Sequence, residues 1–212
     1  MNAAARMLLT LVTAQASPTQ TIATIDRIAG YNQTFNTSIV VDDKIIASNG
    51  TLTVNPGSLN IKNRIQNSWF QLIVPSGSVT IKKMVDGQSQ VLIQAKGNVL
   101  IGDSISGQSW VIVDAGGDVT IGSLIDGQSH VWIRSGGFIR IGNRIDGGST
   151  VRLQSAHGIS IGKRIGNKNT RLEYASPNIT IGGKSVTEAD VGGATVVAQP
   201  FALPAFPPAP SE

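Results

Sequence analysis

The chain has no cysteine, which excludes disulfide scaffolds, thiol nucleophiles and cysteine-ligated zinc. Charged residues make up only 14% of the 212, against about a quarter in an ordinary soluble domain. Aromatic residues are equally scarce, at 5%. No apolar run approaches the roughly 18 residues that a membrane-spanning helix requires, so no transmembrane segment is expected. With only two histidines, His130 and His157, a metal centre or a catalytic triad is not expected, and no cofactor motif is present. What the chain has in quantity is glycine, 24 residues, and aliphatic side chains within a 41% hydrophobic composition. Those proportions point to one turn-rich, β-rich domain with tails.

Internal repetition decides the fold. Residues 81–100 read IKKMVDGQSQVLIQAKGNVL, 101–120 IGDSISGQSWVIVDAGGDVT, 121–140 IGSLIDGQSHVWIRSGGFIR and 141–160 IGNRIDGGSTVRLQSAHGIS. These align without gaps at a period of twenty, and weaker copies occupy 41–60, 61–80 and 161–180, with an aborted eighth opening at Ile181. Apolar residues fall at unit positions 1, 5, 11, 13 and 19. Position 19 joins the next position 1 in a V-x-I pair, such as Val99/Ile101 or Val119/Ile121, which has the period of a strand with one buried side. Position 5 marks a second short strand, and positions 11 and 13, as in Val111/Val113 and Val131/Ile133, mark a third.

Strands this short bury their apolar side only if the chain coils and equivalent strands stack. Gly87, Gly107, Gly127 and Gly147 follow the position-5 strand, and Gly57, Gly77, Gly97, Gly117 and Gly137 precede the V-x-I strand. Glycine there is expected to supply the positive φ that turns each corner. A hexapeptide helix fails because twenty is not a multiple of six. A pentapeptide helix fails because the step after Ile121 lands on Asp126. The sequence predicts an all-β, single-stranded right-handed parallel β-helix of about seven coils, with three short strands per coil, over residues 38–186. Phrases such as Gly117-Asp118-Val119-Thr120-Ile121-Gly122 resemble the repeats of haemagglutinin-type adhesins, and the compact rod with polar tails is similar to the bactofilin-type polymer-forming proteins. Both resemblances imply a bacterial, structural or adhesin-like role.

Residues 1–37 are read as a leader and cap. Arg6, the apolar Met7–Ala14 stretch and Ala14-Gln15-Ala16 outline a secretory signal over 1–16, and localisation stays open between the cell surface or exterior and the cytoplasm. Ile22, Ile25 and Ile28 are spaced for a short amphipathic helix across the open end of the stack, although Ile25-Asp26 also fits a decayed repeat. Five prolines from Pro200 onward make 187–212 an extended arm.

Two polar groupings are candidate sites. Asp126 and Asp146 occupy the same unit position, so stacking brings them about 5 Å apart with Arg144 nearby. That is the set a carbohydrate-active enzyme would need, although an Asp-Gly corner repeated for its turn geometry explains the same residues. Between Arg134 and Lys184 nine basic residues face only Asp146 and Glu173. Arg144, Arg164 and Lys184 fall at unit position 4 as a cationic column that suits an anionic polysaccharide. Nucleic acid is not expected, since no aromatics interleave with the basic residues.

The strongest feature lies at positions 10 and 12, which alternation turns outward. Phe70, Leu72, Leu92, Trp110, Ile112, His130 and Trp132 form a large apolar stripe there, and such stripes mark contacts. The cover is expected to be the arm bearing Phe201, Leu203 and Phe206, a second subunit, or a stacked sugar. Gln71, Arg171 and Glu173 at positions 11 and 13 signal drifting register at both ends of the repeat. The expected function is a non-catalytic structural or binding module that self-associates or docks another protein through this face. The alternative is a carbohydrate-active or polysaccharide-binding protein using Asp126, Asp146 and the basic coils.

Overall fold

The computed structural model describes residues 32–209 and the strand Ile22–Ile25; the leader expected over 1–16 lies outside the described residues. The described chain is all-β and forms a parallel β-solenoid of about eight turns. Each coil contributes to three ladders, as the repeat predicts. The V-x-I strands, Ser38–Val41 through Ile179–Ile181, stack in parallel into one sheet. The position-5 residues form a thin corner ladder, in places a single bridge such as Ile105 to Ile125. The third strands widen to six residues, for example Trp110–Ala115 and His130–Ser135, and build a broad sheet of nine strands.

Val, Ile and Leu from all three ladders fill the lumen. Ile101, Ile105, Val111, Val113, Val119, Ile121 and their equivalents in other coils are fully buried. A column of small hydroxyls accompanies them at the corner before the broad sheet, at unit position 9 in the regular coils and one place earlier or later in the slipped ones: Ser48, Ser68, Ser89, Ser109, Ser129, Ser149 and Thr170 are all buried. The Ser89, Ser109 and Ser129 hydroxyls each donate to the carbonyl three residues back, at 2.6 Å. Ser68 and Ser129 each donate an N–H to the hydroxyl of the following coil's serine. The column therefore satisfies the polar backbone of a buried corner.

Glycine serves the two corners for different reasons. At the first, Gly107, Gly127 and Gly147 have φ of 69°, 68° and 66°, and Gln108 and Gln128 follow them in the same left-handed region. At the second, Gly77, Gly97, Gly117 and Gly137 do not have positive φ, contrary to expectation. Space is what they supply: a Cβ on Gly117 would lie 2.2 Å from Asn98 Oδ1, and one on Gly77 would lie 1.9 Å from the Gly57 carbonyl.

Both ends of the stack depart from the expected pattern. Residues Ile22–Ile25 form a strand paired in parallel with Ser38–Val41, so the decayed-repeat reading holds there in place of the amphipathic helix. The isoleucine spacing i, i+3 did not distinguish the two. At the far end the V-x-I sheet closes through a two-residue hairpin at Gly182-Gly183, both at positive φ, which suits the tight turn. Lys184–Ser185 then pairs antiparallel with Ile179–Ile181. The ladder continues beyond residue 186, because Thr195–Ala198 adds a last parallel strand to the broad sheet beside Arg171–Ala175.

One coil slips. Ile65 and Phe70 are five residues apart, whereas their partners Val85 and Val91 are six apart. The lost residue is regained between Val74 and Val79. A one-residue shift exchanges the faces of a strand, so Phe70 and Leu72, expected outward, are fully buried in the lumen. Trp69 and Gln71 take the outward places. The opposite slip, an extra residue between Ile165 and Leu172, turns Arg171 and Glu173 outward in the last full coil.

Candidate functional site

The outer face of the broad sheet carries the aromatic stripe. Register places Trp110 opposite His130 and Ile112 opposite both Leu92 and Trp132. Trp110 bridges the two columns, its ring 4.4 Å from that of Trp132 and 5.6 Å from that of His130. Five of the seven residues expected outward, Leu92, Trp110, Ile112, His130 and Trp132, thus share one patch. Outward-facing residues of a sheet are normally wet, yet Ile112 is 1% exposed and Trp132 5%.

The C-terminal arm crosses this face. It starts at Thr195–Ala198, the last strand, where the Gln199 N–H donates to the Tyr174 carbonyl. It ends against Trp69, six strands along the sheet. There the Phe206 ring lies 4.9 Å from the Trp69 ring, and the Trp69 indole N–H donates to the Pro207 carbonyl at 3.0 Å. Over 201–208, Ala202, Ala205 and Pro208 are exposed, whereas Phe201, Leu203, Pro204, Phe206 and Pro207 are partly buried. Exposure every third residue is the period of a polyproline II helix, as the five prolines predict. Trp69 escaped the sequence pattern, because a gap-free alignment places Phe70 outward instead.

The arm's root covers a charged cluster. Glu173 is 1% exposed, and Arg152 and Arg171 each donate to it at 2.6 Å. Burial pushes its carboxyl up, but hydrogen bonds from Arg152, Arg171 and Gln199 outweigh that and hold it down at about 2. An aliphatic and aromatic stripe thus grades into a buried ion cluster beneath one continuous segment.

The other candidates lie on the corner that carries the short position-5 strands. Arg144 and Arg164 are in register on paired short strands, but Asp146 sits between them, 3.3 Å from Arg144 and 3.9 Å from Arg164. Lys184 does not continue that column, since its strand belongs to the V-x-I sheet. Asp146 also accepts from the Gly147 N–H and the Asn167 amide. Asp126 is pushed up by burial, with Arg144 opposing and Asp146 adding to the rise. The residues that follow these acids line a shallow trough of about 570 Å³ with Gln88, Gln108, Gln128, Gly107, Gly127 and Gly147. Among the described residues no three His, Asp or Glu side chains cluster to hold a metal ion, and no helix is long and apolar enough to cross a membrane. No protein-family model, no curated protein and no solved structure matches this chain.

Proposed function

We propose that the protein is a non-catalytic structural or binding β-solenoid that associates side-on, with a second copy or another protein, through the aromatic face of its broad sheet. One observation carries the reading: that face already holds an extended polypeptide, residues 199–209, through a tilted ring contact and an indole hydrogen bond at Trp69. Aromatic platforms with a donor at the edge are the surfaces on which proline-rich segments dock. The serine column and the tight glycines supply coil-to-coil cohesion, which suits a rod built to present a surface. The adhesin-like and bactofilin-like character of the repeat, and a bacterial origin, belong to the same proposal.

Uncovering the face tests the reading. Phe201→Ser with Phe206→Ser in the full chain should redden tryptophan emission and raise the mass seen by light scattering. Adding Trp110→Ser and Trp132→Ser should return the chain to monomer. A monomer throughout, with the aromatic substitutions indifferent, would sink side-on association.

Asp126 supports a second reading, an anionic-polysaccharide-binding or carbohydrate-active surface. A carboxyl raised by burial next to a second acid and an arginine is the arrangement acid–base chemistry uses, and here it borders an amide-lined trough. Asp126→Asn with Asp146→Asn keeps the corner geometry. Loss of glycan binding or cleavage in that variant, with association intact, would favour this reading over the first.

A further inference from the structure

The arm has no slack. From Ala198 on the last strand to Phe206 is eight residues, about 25 Å of polyproline II at ~3.1 Å per residue. The path covers six strand spacings, about 29 Å at ~4.8 Å each, and closes only because the Trp69 and Phe206 rings reach toward one another. A segment anchored at one end and pulled to the other cannot slide to improve its contacts. The indoles beneath it record this. Trp69 donates to Pro207, whereas the indole N–H groups of Trp110 and Trp132, on the same face between the arm's two anchors, are buried and have no acceptor among the described residues. Short connections without slack are also those that favour exchange of a terminal element between copies.

We propose that the aromatic face is a receptor for residues 199–209 of a second copy, and that the protein self-associates by exchanging this arm. The inference rests on the side-on reading above and names its partner. An arm delivered from a neighbouring solenoid is not bound to the six-strand span. It can shift along its axis until carbonyls meet the Trp110 and Trp132 donors as well as Trp69. Within one molecule the arm's effective concentration is on the order of millimolar, so the closed form prevails in dilute solution and exchange needs crowding or a weakened own arm. The ligand chemistry is specific: an extended segment with apolar groups on two of every three positions and a Phe-Pro pair at its leading end.

Complementation between full-length chains tests it. An acceptor carries an intact face and a disabled arm, Phe201→Ser with Phe206→Ser. A donor carries an intact arm and a disabled face, Trp69→Ala with Trp132→Ser. The acceptor alone should associate face to face, as expected above; mixed with excess donor at tens of micromolar, it should instead form a complex of one donor and one acceptor by native mass spectrometry, and tryptophan emission should move to the blue of the sum of the separate chains. Separate chains after mixing would overturn the proposal, as would equal binding by a donor that also carries the two arm substitutions. If the acceptor alone self-associates but takes no donor arm, side-on docking survives and arm exchange does not. If neither occurs, both fail.

Discussion

Arg152 and Glu173 lie opposite one another on adjacent strands, Nε to Oε2 2.6 Å, with the carboxylate end 1% exposed. Because the folded state holds that carboxyl at about 2, well below its ordinary value of 4.5, the ionised form stabilises the fold. A depressed acid contributes fully above its unfolded pKa and loses the contribution as pH falls toward the folded one. Stability should therefore drop between about pH 5 and pH 2. Glu173→Gln should cost roughly 3 kcal/mol at pH 7, from ~1.4 kcal/mol per pKa unit. Urea unfolding of the two chains should converge as the pH approaches 2.

The slipped coil makes an opposite-face test. Phe70→Ala opens a cavity in the lumen and should cost about 3–5 kcal/mol. Gln71→Ala, on the outer face, should stay within about 0.5 kcal/mol. Equal losses in chemical denaturation would mean that the coil keeps the register of the coils that follow it.

Ile121→Asp and Val131→Asp each put a charge into a fully buried aliphatic site and should abolish cooperative unfolding, since no cation among the described residues is buried there to pair it. Thr120→Asp, one residue away and only partly buried, should leave the midpoint within a few degrees. Circular dichroism melts of the three variants separate these outcomes.

The glycines divide by mechanism. A Cβ on Gly122 would lie 2.0 Å from the Gly102 carbonyl of the coil beneath, so Gly122→Ala must push adjacent backbones apart and should cost several kcal/mol, in the range of core overpacking at ~1–3 or above. Gly183, at φ +75° with no described residue within 4 Å of where a Cβ would lie, is constrained by conformation. Gly183→Ala should cost about 1 kcal/mol and Gly183→Asn less. Similar losses at both sites in urea titrations would refute the division.

The sequence made the coil legible because each unit repeats the same inward pattern, and a solenoid interior repeats whatever its unit supplies. The slip at Ser68 was hidden because a deletion at one corner and an insertion at the next restore the period of twenty. Only polar residues in the inward columns betrayed it, Gln71 and before it Thr51 and Thr53. The strand Thr195–Ala198 was illegible for a different reason: Val196 and Val197 follow no repeat, and their place is set by the neighbouring Arg171–Ala175. The arm's extended form could be read from its prolines, but its destination at Trp69 depends on how many coils lie between, which no local pattern encodes.

That dependence makes the arm a ruler. Eight residues match six strand spacings, so arm length and coil number are tied. A chain shortened by a whole unit, for instance by losing residues 101–120, would keep every stacking contact in phase, but Phe206 would overshoot Trp69 by one spacing. A chain lengthened by one unit would leave the ring short of its partner. Duplication or loss of a twenty-residue unit, harmless to the lumen, would thus change the closure of the outer face.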